Sequence, residues 1–138
     1  MTAPGSDSWS SGSAYESYIG RWSRLVAPEF LDWLGIPPRQ RWLDMGCGTG
    51  ALTDAILTRC EPRSVVGIDP SESFVAHART TVVDARAKFQ TGMAATTGLG
   101  DGDVDVVVSA LVLNFVPDVG AALAEARRVV SPGGVVAG

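Results

Sequence analysis

The sequence has little of several features that would assign a class at once. It has two cysteines and one histidine among 138 residues, and its net charge is only −4. No apolar run approaches the roughly 20 residues that a membrane-spanning helix needs. The N-terminal residues do not show a basic segment followed by an apolar core, so we predict no secretory signal. The charge disfavours a protein that follows nucleic-acid phosphates. We therefore expect neither a membrane nor a nucleic acid as a partner.

The two cysteines flank a predicted helix, which separates them too far for a disulfide and fits a reducing, cytoplasmic location. Cys47 has two readings: a reactive thiol at a helix start, or a small residue that suits a tight turn. The second reading is favoured because no histidine partner for Cys47 is evident. His77, the single histidine, is predicted to lie on a helix flank without a catalytic role.

What is present is typical of one globular domain, with 46% apolar and 19% charged residues. Residues 1–13 are rich in serine and glycine and predict a flexible tail, so the domain is expected to span 14–138. From Ala14, apolar residues recur at helical spacing and form a stripe to Leu34. That stripe contains Trp22, Leu25, Val26, Phe30, Trp33 and Leu34. Pro28 is expected to kink this helix or to start a second one.

Residues 42–50, Trp-Leu-Asp-Met-Gly-Cys-Gly-Thr-Gly, predict a short buried strand that leads into a glycine-rich turn. Apolar residues at helical spacing follow over 51–57. Glycines allow the backbone to approach a ligand closely, and a helix N-terminus presents free N–H groups. Strand, turn and helix together indicate the entry of a nucleotide-type binding site.

Two acidic residues sharpen this prediction. Asp44 lies two residues before Gly46, so both reach the carboxyl end of the strand, where a carboxylate suits a cationic ligand. Asp69 ends a second predicted strand, 64–68, about twenty residues beyond the turn, where ribose hydroxyls are bound in this architecture.

The remaining pattern alternates helices and strands. We predict a helix from the Ser71 cap to about Ala85, strands over 87–91 and 104–109, and a helix from the Asp118 cap through Val130. The buried faces are predicted to carry Phe74, Ala78 and Val82 in the first helix and Leu123, Ala126 and Val130 in the second. A fifth strand begins at 135–138. This alternation predicts an α/β fold, a Rossmann-like doubly wound parallel sheet with helices on both faces.

The acidic residues Asp101, Asp103 and Asp105 alternate like the start of a calcium loop. Val106 stands where that loop needs glycine and Val112 where it needs its closing acid, so we expect no metal site there.

The runs 43–50 and 66–71, Leu-Asp-Met-Gly-Cys-Gly-Thr-Gly and Val-Gly-Ile-Asp-Pro-Ser, resemble class I S-adenosylmethionine-dependent methyltransferases of the small-molecule type. The resemblance implies strand order 3-2-1-4-5, with S-adenosyl-L-methionine over strands one, two and four. It implies transfer of the sulfonium methyl group to an acceptor that the sequence does not identify. No catalytic residue is indicated.

The same resemblance implies that Asp69, with Pro70 beside it, would bind the ribose hydroxyls of the cofactor. The backbone of Gly46, Cys47 and Gly48 would lie against the methionine and ribose. Asp44 would support the turn near the cationic end of the cofactor.

Further cofactor-binding residues come from three other places, two of them implied by the resemblance. Tyr18 and Arg21 match a leading helix that closes over the methionine end. Met93 stands where the family usually has an aspartate for the adenine amino group, so Met93 and Ala94 would offer backbone groups and an apolar cover instead. Ser109 ends the fourth strand, at the ligand edge of the sheet.

Three expectations concern the whole protein. The resemblance covers only the earlier part of a typical member, so we expect a fold that is incomplete on its C-terminal side, with an open strand-five edge through which copies associate. One alternative is an NAD-dependent oxidoreductase, because Gly46-x-Gly48-x-x-Ala51 satisfies the loose dinucleotide pattern. The other is a non-catalytic remnant or partner subunit, which Met93 favours.

Overall fold

The computed structural model describes residues 21–110 and 116–138, in which helices and strands alternate. In chain order these are α1 (Arg21–Leu34), β1 (Arg41–Met45), α2 (Ala51–Arg59), β2 (Ser64–Asp69), α3 (Glu72–Thr81), β3 (Ala87–Thr91), β4 (Val104–Val108), α4 (Val119–Val129) and β5 (Val130–Ala137). None of the helices in these described ranges is long and apolar enough to cross a membrane.

The five strands form one sheet in the order β3-β2-β1-β4-β5, and every neighbouring pair is parallel. The predicted architecture and strand order are therefore confirmed. In the register, Asp44 of β1 stands opposite Gly67 of β2 and Val108 of β4. The carboxyl ends of these three strands consequently meet at one edge of the sheet.

Helices cover both faces of the sheet, because the strands are apolar on both sides. On one face, Trp42, Val65, Val106 and Val108 pack against buried residues of α1 and α2. On the other face, Leu43, Ile68 and Val107 pack against Ala126 and Val129 of α4. A smaller cluster joins Cys47 and Phe89 to Val75 and Ala78 of α3.

The acidic run that alternates before and within β4 is divided among different partners. Asp105 accepts hydrogen bonds from Arg41 at Oδ1 and Oδ2, both at distances of 2.9–3.0 Å, and these hold its pKa well below the usual range. Asp103 accepts the backbone N–H of Gly100, and Asp101 pairs with Arg128. The alternation thus serves three separate structural contacts.

The first helix differs from the expectation in two ways. α1 is continuous across Pro28, so the alternative of a second helix starting there is wrong. Its buried residues are Ala27 and Leu31, whereas Leu25, Val26 and Trp33 of the predicted stripe are 56–78% exposed. Burial of the Ala27–Leu31 face against α2 holds the helix together despite the hydrogen bond that proline removes.

Two further boundaries were predicted wrongly. α3 ends at Thr81 and not near Ala85, because Val82 leaves helical geometry. β5 begins at Val130, directly after α4, and passes through Ser-Pro-Gly-Gly with a shift in its pairing to β4. The sequence predicted that the helix would stop in this segment. It could not show that Val130, which lies before the shift, would also pair with β4, opposite Val104.

The buried faces of α3 and α4 also differ from the prediction. The fully buried positions are Val75 and Ala78 in α3, while Phe74 and Val82 are only partly buried. In α4 they are Ala122, Ala126 and Val129, while Leu123 is 48% exposed. Helical periodicity alone did not resolve which of two adjacent stripes faces the sheet.

Gly67 is a point of close approach where we predict a measurable cost of substitution. A Cβ at this position would lie 2.6 Å from Cδ1 of Phe89 and 3.0 Å from Cβ of Cys47. We expect Gly67→Ala to lower the free energy of unfolding by about 1–3 kcal/mol through overpacking. Urea unfolding measures the effect.

Gly120→Ala is the matched control, because that position lies in α4 and its nearest atom would be 3.4 Å away. Alanine there should leave stability unchanged or slightly raised. Equal effects of the two substitutions would contradict the packing described for Gly67.

Candidate functional site

The glycine turn after β1 has the geometry of a close-approach loop. The φ values of Gly46, Gly48 and Gly50 are 79°, 54° and 95°. Residues with a Cβ rarely adopt this left-handed region of backbone conformation. The N–H groups of Gly46 and Cys47 both donate to the carbonyl of Ile68, at 2.7 and 3.0 Å. The turn is therefore fixed to the end of β2 before α2 begins.

Asp44 is a buried carboxyl group below this turn. It is 1% exposed and accepts a hydrogen bond of 2.7 Å at Oδ2 from Oγ1 of Thr53 in α2. Burial raises the pKa of Asp44 to about 7; hydrogen bonds from Thr53 lower it and the nearby charge of Asp69 raises it further. The carboxyl group can thus change its protonation near neutral pH, which suits a site that receives a cation.

Thr53 is a site residue that the sequence interpretation missed. It is fully buried and fixes one oxygen of Asp44. The available signal was its place on the buried stripe of α2, since Ile56 and Leu57 follow at three and four residues and are also buried. A polar residue on an apolar stripe indicates a buried partner.

Asp69 connects two loops at the neighbouring strand end. Its Oδ2 accepts the N–H of Gly48 at 3.0 Å, and its Oδ1 accepts the N–H of Ser71 at 2.9 Å. Burial raises its pKa, and these two hydrogen bonds lower it. A carboxylate offers about four acceptor positions, so Asp69 has capacity left for ligand hydroxyls. Pro70, which follows, is exposed.

The loop after β3, residues 92–103, is called the base loop below. It starts beside Asp69, whose carbonyl accepts the N–H of Gly92 at 3.1 Å. Met93 is 48% exposed, and Ala94 packs partly against the α4 side of the core. The structure therefore brings these two predicted residues to the same edge as Asp69, and their contact with a ligand stays a prediction.

A second group missed from the sequence holds this loop to α4. Glu125 accepts hydrogen bonds from the N–H and the hydroxyl of Thr97 at 2.8 and 2.7 Å. Nε and Nη2 of Arg128 donate to the same carboxylate at 2.7 and 2.9 Å. The Arg128 guanidinium lowers the pKa of Glu125 to about 2. The i, i+3 spacing of Glu125 and Arg128 signalled the ion pair, but nothing in the sequence signalled Thr97.

Ser109 and Cys47 both lie at this end of the sheet and are both buried. Among the described residues, Oγ of Ser109 has no hydrogen-bond partner, although its N–H donates to Ala137. Cys47 is 6% exposed, and burial raises the pKa of its thiol strongly. The structure thus favours the small-residue reading of Cys47 over the reactive one, and it leaves Ser109 as a polar group that a ligand could satisfy.

The leading-helix residues are not placed in this site. Tyr18 lies outside the described residues. Arg21 is exposed at the first described position of α1. Their roles remain predictions.

A family model described as a methyltransferase domain matches residues 43–138. Those residues include the glycine turn, both acidic strand ends and the base loop. The chain belongs to this methyltransferase-domain family.

Curated relatives support the assignment over most of the chain. A protein from a transposon of Streptomyces fradiae is 39% identical and matches 81% of this chain and 33% of its own length. Trans-aconitate 2-methyltransferase of Variovorax paradoxus is 33% identical and matches 80% of this chain and 42% of its own length. The ubiquinone/menaquinone biosynthesis C-methyltransferase of Dinoroseobacter shibae is 32% identical and matches 80% of this chain and 46% of its own length. The chain thus spans less than half the length of these relatives.

Solved structures share the fold. A proposed S-adenosyl-L-methionine-dependent methyltransferase from Methanococcus maripaludis superimposes with a TM-score of 0.77 over 92% of this chain and 60% of its own, at 23% identity. The [4+2]-cyclase SpnF superimposes with a TM-score of 0.70 over 84% of this chain and 42% of its own, at 27% identity. Because a cyclase shares the fold, the fold alone does not specify the reaction.

We predict that Asp44 makes stability depend on pH in a direction opposite to ordinary paired carboxylates. Its pKa is raised in the folded state, so its contribution to stability is complete below its unfolded pKa and is lost as the pH rises through about 7. Between pH 4.5 and pH 8, the free energy of unfolding of the wild type should fall by at least about 1.4 kcal/mol relative to that of Asp44→Asn. This amount corresponds to a pKa shift of one unit. Urea unfolding at both pH values measures this difference.

The comparison cancels the groups that the two proteins share, including Asp105 and Glu125, whose lowered pKa values act in the opposite direction. A constant difference between wild type and Asp44→Asn across this range would contradict the burial of an ionisable Asp44.

Proposed function

We propose that this chain binds S-adenosyl-L-methionine at the carboxyl edge of β1, β2 and β4 and transfers its methyl group to a small-molecule acceptor. The observation that carries the proposal is the pair of buried acids, Asp44 and Asp69, on either side of the glycine turn. The family membership supports it, as do the relatives named as a trans-aconitate 2-methyltransferase and a ubiquinone/menaquinone biosynthesis C-methyltransferase.

The residues present fit this cofactor. Asp69 has acceptor capacity for the ribose hydroxyls, with Pro70 beside it. Gly46, Cys47 and Gly48 let the backbone lie against the ligand because the two glycines have positive φ and Cys47 points into the core. Asp44 provides negative charge for the cationic end.

Five more residues complete the proposed binding set. Met93 and Ala94 offer backbone groups and an apolar cover to the adenine, and Ser109 offers a buried hydroxyl. Tyr18 and Arg21 are proposed to close over the methionine end.

The bound cofactor supplies an activated methyl group, so the chain does not need a nucleophile of its own. Its residues are proposed to hold the donor in line with the acceptor and to exclude water. We assign no general base and no metal.

We predict that Asp69→Ala weakens binding of S-adenosylhomocysteine about ten- to hundredfold, because a charge-assisted hydrogen bond contributes roughly 1.5–3 kcal/mol. Isothermal titration calorimetry measures the affinity. Asp32→Ala is the control, since Asp32 forms an exposed ion pair with Arg59 away from the strand ends. Circular dichroism verifies that each variant is folded. An unchanged affinity would remove Asp69 from the site.

The NAD-dependent oxidoreductase is the first alternative. The pattern Gly46-x-Gly48-x-x-Ala51 permits it, but a buried carboxyl at Asp44 disfavours a pyrophosphate. Thermal-shift titration with NAD and with S-adenosylhomocysteine separates the two: stabilisation by NAD alone would replace the methyltransferase proposal.

A non-catalytic cofactor-binding remnant or partner subunit is the second alternative. Met93 favours it, because the side chain usually found there would bind the adenine amino group. Cofactor binding without methyl transfer to any acceptor in a radiolabel screen would support this reading.

We further propose that copies of this chain associate through β5. Val135 and Val136 of this edge strand are 36% and 44% exposed. At the opposite edge, Arg79 covers the carbonyl of Phe89 with two hydrogen bonds. An open apolar edge invites pairing, whereas a covered one resists it. A cytoplasmic location, consistent with the two free thiols, is part of the proposal.

The association has a direct test in sedimentation velocity. We expect a concentration-dependent dimer in the wild type and a monomer in Val136→Lys, because a charge on an edge strand opposes pairing. Val83→Lys is the control, since Val83 is 86% exposed and precedes the opposite edge. A wild-type monomer, or a dimer that Val136→Lys leaves intact, would overturn the β5 contact.

A further inference from the structure

A buried carboxylate of α4, that of Glu125, anchors the base loop at Thr97. Glu125 is 8% exposed and Thr97 is 3% exposed, so their hydrogen bonds lie away from solvent. The N–H and hydroxyl of Thr97 both donate to Oε2 of Glu125, at 2.8 and 2.7 Å. Buried hydrogen bonds to a charged group are among the stronger ones in proteins.

Arg128 extends this anchor along the loop. It donates to both oxygens of Glu125, to the carbonyl of Leu99 at 2.6 Å and to Oδ1 of Asp101 at 2.7 Å. Its own carbonyl accepts the N–H of Gly102. The second half of the base loop is thus tied to one turn of α4.

The first half of the loop is held at its ends and by Ala94, which packs partly against the core on the α4 side. Within the part of the chain that the structure describes, the regular structure of this half is a single bridge between Met93 and Thr96. Its start is tied to Asp69 through the N–H of Gly92. Ordering a segment without regular structure costs conformational entropy at each residue. The conformation of Met93 and Ala94 therefore depends on the packing of Ala94 and on the two ends, Asp69 on one side and Thr97 on the other.

We propose that Glu125 is a positioning residue for recognition of the cofactor base: by fixing Thr97, it sets the backbone of Met93 and Ala94 against the adenine edge without touching the cofactor. This inference rests on the proposed function and deepens it. It explains how the loop can read a base with backbone groups alone, because backbone donors discriminate only when the segment that carries them is held in place.

The test uses two ligands that differ only at the base edge, S-adenosylhomocysteine and S-inosylhomocysteine, in which an oxo group replaces the amino group. Calorimetry gives the ratio of their affinities. We expect wild type to prefer the adenosyl compound about two- to tenfold, the range for one or two hydrogen bonds. In Glu125→Gln the ratio should fall toward one, because one of the two acceptor oxygens becomes an NH2 group, which cannot accept from Arg128 or from Thr97.

Two further variants keep the test decisive if Glu125→Gln fails to fold. Thr97→Val removes the hydroxyl donor and should also lower the ratio, whereas Thr97→Ser keeps the donor and should restore it. Arg127→Gln, an exposed neighbour of Arg128, is the control and should leave the ratio at the wild-type value.

The outcomes separate the possibilities. A purely structural role would weaken both ligands equally and leave the ratio unchanged in Glu125→Gln and Thr97→Val, which overturns the inference. A wild-type ratio of one, with both ligands bound, also overturns it and leaves the proposed function intact. If wild type binds neither ligand, the proposed function itself fails.

Discussion

The hydrogen bonds between the glycine turn and the end of β2 are the constraint on which the site depends. Ile68 accepts two N–H groups of the turn through its carbonyl, and Asp69 accepts a third, from Gly48, through its carboxylate. These bonds fix the direction in which the chain leaves β1 and enters α2. They also bring the two acidic strand ends together. Without them, the positive-φ glycines would leave the turn free to adopt many conformations.

Buried polar groups at this edge have different physical roles. Among the described residues, Asp44 accepts a hydrogen bond from Thr53, and its burial beside Asp69 raises its pKa to about 7. Glu125, which is less completely buried at 8% exposed, lies beside an arginine and keeps a low pKa. The first is suited to respond to an incoming charge, whereas the second maintains a fixed structure. Their surroundings, and not their residue type, decide between these roles.

Sequence patterns predicted most of the fold. The β-branched run of β4, the glycine turn and the caps at Ser71 and Asp118 are local signals, and the structure has strand, turn and caps where they were expected. The errors concern choices that local signals cannot make. Apolar residues of α1 form two adjacent stripes, and only contact with α2 selects the Ala27–Leu31 face.

The amino-acid sequence by itself determined the alternating α/β order, the glycine turn and the two acids at the strand ends, because each follows from a short-range pattern of periodicity, backbone freedom and charge. Only the tertiary structure decided that Thr53 supports Asp44 and that Glu125 holds Thr97, which lies 28 residues away in the sequence. The physical reason is that each contact joins two separate segments, and the local pattern of one segment does not identify its partner. The contacts form only when the sheet brings the helices and loops together.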